Sequence, residues 1–465
     1  MLIKCPSQFL VSLCGVVSEW LKEHAWKACN GQKPFKSSNL FNSAIFVLLL
    51  FPFASFATPS QNILQFLANA ECEYYPEFWS ELGKSDCDFT SPKVLSEHVD
   101  ELKFYSRWKG FITEFKQKNT DLGSQQTAVL LDWYVDNKKR EINLRADREI
   151  IEVFYPTRAA LSHFNDLRLR ARANKPELLV KKLQNYYSDQ RIEAEWHRLV
   201  FLRKKYPEGL LPDRNAIKDY LSHSEKEMAE LAEMLGPEGA EEVDRFRKMV
   251  NRYNSYLSGK IVPIAKEDIT TDPTWYQQLL EQEGIGELSS EIASSAAEEL
   301  KAVMSKSSGN QGSMQVPLLT NIDEASRLYV KAASSYESGL RWYVNDEKLR
   351  GNREMKLMLA RAFLSPRLHL GKIKQKDAEK FLKDEIDLSQ VEAKSVLRDI
   401  LYLNPAQGPA AYGGLMAFRN LQKKMRKVWG VGFSETCFIE TLKKMSPAPW
   451  ETFEESLRQQ LPCKP

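Results

Sequence analysis

Apolar residues return every three or four positions along nearly the whole chain, and no run of alternating residues competes with that pattern. A period of 3.6 buries one face of a helix, so the chain is read as all-α. Residues 216–235 put Ile217, Tyr220, Leu221, Met228, Leu231 and Leu235 on one stripe, which Gly236-Pro237 ends. Residues 290–304 repeat it with Ile292, Ala296, Leu300, Val303 and Met304. Ser389 and Glu392 are spaced as a capping box ahead of Val396, Leu397, Ile400 and Leu401.

Two stretches interrupt the pattern. Residues 258–274, with Gly259, Pro263 and Pro273, read as a connection between an N-terminal helical region (58–265) and a C-terminal one (271–465). Residues 305–317, rich in Ser and Gly, read as a flexible loop. Upstream, Phe41–Ala57 is an apolar run ending in Ser55-Phe56-Ala57. It is too short for a comfortable membrane span and has the form of a signal peptide over 40–57, cut before Thr58. Residues 15–40 resemble a bacterial serine tRNA gene translated as protein, so residues 1–39 are expected to be a non-native extension that carries no chemistry. The expected location is periplasmic or secreted, with no membrane span after cleavage.

Charge and cysteines follow from that division. The chain has 65 basic and 62 acidic side chains; residues 1–57 hold five Lys and two Glu, which leaves sixty of each sign. A neutral mature chain argues against a nucleic-acid partner. Four of the seven cysteines remain, Cys72, Cys87, Cys437 and Cys463. An oxidising compartment favours disulfides. Of three possible connectivities, nearness in sequence favours Cys72–Cys87 and Cys437–Cys463; four separate buried thiols are the alternative.

From Thr271 to Leu461 the sequence resembles a bacterial domain-of-unknown-function family related to zinc metallopeptidases. Intact members carry His-Glu-x-x-Pro-Gly-His-His and Glu-Gly-Trp-Ala-Leu-Tyr motifs. The pieces that carry the likeness are Trp275-Tyr276 to Met304, His369, Asp377 to Leu382, Pro405-Ala406-Gln407 to Gly414, Leu421 to Gly432 with Phe433 and Phe438, and Pro447 to Leu457. The resemblance implies a multi-helix, metallopeptidase-like shell. The departures weigh against its chemistry. Glu337 comes only 33 positions after Met304, and the residues between hold no His. The second motif reads Tyr336-Glu337-Ser338-Gly339-Leu340-Arg341-Trp342-Tyr343, with Ser338 at the metal-ligand position and Glu337 displaced by one residue, about 100° around a helix. The chain is thus expected to be a degenerate or internally deleted member, lacking the zinc-binding segment.

A catalytic zinc generally needs three protein ligands and an open position. Past residue 57 the histidines are His98, His163, His197, His223 and His369, and none forms His-Glu-x-x-His. Glu193 and His197 share a helix face but read more simply as a solvated pair. The remaining candidates for a ligand pocket are His369, Arg361, Tyr412 and Tyr343, with a hydrogen-bonded core histidine as the plainer reading of His369. The aromatic group Tyr74, Tyr75, Phe78 and Trp79 reads as local core, and Arg168, Arg170 and Arg172 as a solvated face. Serine-nucleophile and phosphate-loop signatures are missing. No metal or cofactor is expected, and the catalytic residues stay unknown. The favoured expectation is an exported non-catalytic relative binding a peptide or cell-envelope ligand. The alternatives are a periplasmic hydrolase or carboxypeptidase-like enzyme with an unrecognised site, and a structural or interaction protein of the envelope.

Overall fold

The computed structural model describes residues 59–82, 87, 94, 98–169, 175–266, 272–304, 323–349 and 352–460. All of them belong to one unit, Pro59–Pro465. The extension, the signal sequence and its cleavage site, the loop 305–317 and Cys463 lie outside the described residues.

The fold is all-α; among the described residues the one β contact is an isolated parallel bridge between Ile150 and Leu210. Helices α1 (Pro59–Glu71), α2 (Pro76–Glu81), α3 (His98–Lys118) and α4 (Leu122–Asp147) are followed by α5 (Pro156–Leu169), α6 (Pro176–Tyr186), α7 (Asp189–Lys205), α8 (Arg214–Leu235) and α9 (Ala240–Tyr256). A π turn (Leu257–Ile261) and a 3-10 turn (Val262–Ile264) end that series. Next come α10 (Pro273–Gln282), α11 (Ser289–Met304), α12 (Glu324–Ala332), α13 (Ser335–Leu349), α14 (Arg353–His369), α15 (Gln375–Asp384) and α16 (Gln390–Arg398). After a second π turn (Asp399–Leu403) the chain closes with α17 (Gln407–Trp429), α18 (Glu435–Lys444) and α19 (Trp450–Gln460).

Local chemistry sets these boundaries. Helices α1, α2, α5, α6 and α10 open on proline, whose missing N–H has no helical acceptor at that position. Asp121, Ser188, Asp213, Asp272 and Asn352 accept from backbone N–H groups at the starts of α4, α7, α8, α10 and α14. The Ser389–Glu392 capping box is present, and those hydrogen bonds together with Arg353 hold the Glu392 carboxyl down at about 2. Gly236 ends α8 at φ +65°, as the Gly-Pro stop predicts.

Burial divides the unit into two apolar cores. One runs from Ile63 to Ile142 and resumes from Tyr276 to Leu457; the other is contiguous, from Ile151 to Ala265. The connection at 258–274 therefore closes the second core. The segment 59–147, which the sequence grouped with residues up to 265, packs with the C-terminal helices. What joins the cores is largely polar. Arg145 of α4, buried against Glu101, also binds Glu152 at 2.7 Å, and Arg198 of α7 meets the same carboxylate at 2.9 Å. Arg398 of α16 crosses to Asp219 of α8 at 2.9 Å, beside Arg158.

Cys72 and Cys87 are joined, as nearness in sequence suggested. Cys437 is also disulfide-bonded. Near the first bridge, buried Glu71 accepts from the Trp79 indole at 2.8 Å and from the Tyr134 hydroxyl at 3.0 Å. Phe78 stacks on Tyr134 and Tyr74 packs on Phe104, so this aromatic group is local core.

Candidate functional site

Helices α13 and α17 make the most extensive contact in the molecule, with α11 and α14 packed beside them. They carry most of the residues singled out from the sequence. The approach of α13 to α17 is set by glycines: a Cβ on Gly339 would lie 2.4 Å from the Gly414 backbone, and one on Gly414 only 2.1 Å from the Ser335 carbonyl oxygen. Backbone meets backbone there, with no room for any side chain.

Arg419 of α17 lies between two carboxylates from neighbouring helices. Its nitrogens reach Glu299 of α11 at 2.8 and 2.9 Å and Asp346 of α13 at 2.7 and 3.0 Å. Both contacts are bidentate, the geometry for which a planar guanidinium is suited. The Tyr412 hydroxyl donates to Glu299 at 3.1 Å. Burial and then the Glu299 charge push the Tyr412 hydroxyl well above its usual range, so it remains a neutral donor. Tyr343 packs against Phe418 and Phe438. Both carboxylates in this layer are thus neutralised by an arginine.

His369 and Arg361, both on α14, attach to the π turn at 399–403. Arg361 binds Asp399 at 3.0 Å. His369 is 7 % exposed, stacks on Tyr276, and places Nε2 3.1 Å from the Ile400 carbonyl. A local cause explains this bond. In the π turn Asn404 N–H donates to Asp399 O, and the next donor in that series would come from position 405. Position 405 is proline, which has no N–H, so the Ile400 carbonyl needs another donor and His369 supplies it. The Pro405 carbonyl is itself bonded by Tyr276, at 3.0 Å, and by Ser365. Burial pulls the His369 pKa below its ordinary value of 6.5, against the opposing effect of the Ile400 carbonyl. The ring therefore sits neutral with its proton on Nε2.

The positions aligned with metal ligands do not converge. Glu337 is exposed and Ser338 half-buried. Glu193 and His197 are both exposed, and His223 bonds within α8 to the Asp219 carbonyl. Among the described residues no three His, Cys, Asp or Glu side chains gather around a common centre.

A separate cleft of about 680 Å³ opens where the turn after α10 meets α4, α12, α17 and α19. Trp133, Tyr329, Trp450 and Phe453 give it aromatic walls, and Arg140, Lys424, Glu281, Glu287 and Glu454 mix both charges around it. The turn is held firmly. Gly284, at φ +84°, donates to Glu281 O while Ile285 N–H reaches back to Leu280 O. Glu283 beside them accepts from Ser334 N–H at 3.2 Å and from its hydroxyl. Burial raises the Glu283 carboxyl pKa against those bonds. The buried indole Nε1–H of Trp450 has no protein acceptor. None of His369, Arg361, Tyr412 or Tyr343 lines this cleft. Its walls come from five helices far apart in sequence, and no local motif marks them.

No family model matches the chain, and no curated protein matches it. Solved structures do. A candidate lipoprotein of unknown function from Shewanella oneidensis superposes with a TM-score of 0.59 at 11 % identity, over 86 % of this chain and 100 % of that one. A candidate lipoprotein from Colwellia psychrerythraea gives 0.56 at 8 % identity, over 86 % and 99 %. The likeness at such identities is one of fold. It covers those chains from end to end.

Proposed function

We propose that this is an exported, envelope-associated helical protein without metal-dependent hydrolytic activity, and that it binds a peptide-like envelope ligand in the aromatic cleft. The observation that carries the binding reading is the pairing of edge-to-face aromatic walls with a buried indole donor at Trp450 that has no acceptor within the chain. Buried donors are normally satisfied, so a ligand carbonyl is a natural complement. Charges of both signs around the cleft suit a peptide better than a simple anion. Export rests on the form of residues 40–57 and on the disulfides, and the candidate lipoproteins of similar fold agree with it.

The relation to a zinc-peptidase-like family remains part of the same proposal, with this chain as a non-catalytic relative. Two observations favour an intact fold over a decayed remnant. The apolar faces flanking residues 305–322 are covered, with Leu300 and Val303 buried on one side and Ala325, Leu328 and Tyr329 on the other. This chain also covers 100 % and 99 % of the two similar structures.

Metal analysis of the purified protein tests the first half; zinc at one equivalent per chain would overturn it. A panel of peptides titrated against intrinsic fluorescence tests the second. Binding should weaken in Trp450→Phe and in Glu287→Lys. Peptides that bind both variants as tightly as the parent would remove the cleft from the reading.

A further inference from the structure

The end of α17 forms an apolar tip. Gly430, at φ +54°, stops the helix and a 3-10 turn follows over Gly430–Gly432. Between its two glycines Val431 is fully exposed, at 110 % of the reference area for valine, and Val428 is 55 % exposed. The tip has a firm base: Trp429 stacks on Phe433 at 5.8 Å, Arg426 lies over the Phe433 ring at 5.1 Å, and Phe433 N–H donates to Gly430 O. Val428 at the helix end and Val431 on the turn are not explained by packing among the described residues.

The charge beside the tip indicates what covers it. Lys423 and Lys427, one turn apart on α17, are exposed and make no ion pair among the described residues, whereas Lys424 is paired with Glu454 and Arg426 with Glu435. Residues 420–445 hold six basic side chains against two acidic, in a chain that is balanced overall past residue 57. We propose that this tip docks the protein on an anionic phospholipid surface, with Val428, Trp429 and Val431 entering the headgroup region and Lys423 and Lys427 meeting the phosphates. Tryptophan beside aliphatic side chains is suited to that boundary, and lysine stems reach along it to place their charges in the polar layer. The tip shares no residue with the cleft, whose α17 residues are Ala417, Asn420, Leu421 and Lys424.

Amide hydrogen exchange of the full chain, with and without vesicles, tests this. Vesicles of phosphatidylethanolamine and phosphatidylglycerol should slow exchange at Val428–Phe433, whereas phosphatidylcholine vesicles should not. Val431→Asp leaves no packing void, and its binding to the anionic vesicles should fall about 30-fold. A Lys423→Gln/Lys427→Gln double variant should fall by about the same factor, and added salt should weaken the parent. Three results would overturn the proposal: exchange at the tip unchanged by anionic vesicles, protection confined to other segments, or protection that follows protein concentration without lipid. The last would make the tip a contact between copies of the chain.

Discussion

His369 illustrates how a candidate ligand-pocket residue can be explained by backbone accounting. Replacing it by Ala strands the Ile400 carbonyl and should cost about 1–3 kcal/mol, measured by denaturant unfolding. The pH dependence has a definite sign. The folded-state pKa is below 6.5, so the unfolded chain binds the extra proton first on acidification. His369 thus contributes fully above about pH 6.5 and loses its contribution as the pH falls toward the folded value. The stability gap between the parent and His369→Asn should narrow between about pH 7.5 and 5.5; a constant gap would contradict a neutral buried ring. Arg419 makes the companion case. Arg419→Ala would remove the cation that Glu299 and Asp346 share, at a cost of about 3 kcal/mol in the same assay. A hydrogen-bonded core histidine was the plainer sequence reading of His369, but its partner was not legible, and neither were those of Arg419. His369 answers to a proline far along the chain, and the partners of Arg419 lie on two other helices.

At the scale of elements, the α13–α17 crossing depends on having no side chains at Gly339 and Gly414. Alanine at 414 improves helix propensity by about 1 kcal/mol, yet its Cβ would fall inside van der Waals contact with the Ser335 carbonyl. The steric term wins, and Gly414→Ala should destabilise by a net 1–3 kcal/mol or so, read as a lowered midpoint in urea. Elements were the level at which the sequence spoke most clearly. The helices at 216–235 and 290–304 and the capping box at Ser389 were legible because period, cap and stop act within a few residues. Ser338 and Glu337 were placed correctly on one helix. Which faces α13 turns to α17 follows from glycine geometry that periodicity does not report.

Across the whole molecule, the two cores meet through ion pairs more than through apolar contact. Arg145 and Arg198 hold the Glu152 carboxyl down against the opposing effect of burial, and Arg398 binds Asp219. Severing that joint should uncouple the cores. In an Arg145→Met/Arg398→Met double variant, thermal unfolding should separate into two transitions, with the leading one lowered in temperature; a single sharp transition would argue for stronger coupling. Reading the sequence by composition shifts could not reveal this division, because one core is assembled from segments on both sides of the other. That interrupted route has a consequence for biogenesis. A chain emerging amino end first can complete the inserted core as soon as residue 265 or so is free, since all its partners are local. The helices that precede it must wait, half-clothed, until the final helix arrives. During that interval their greasy faces are the part of the nascent chain most in need of a chaperone.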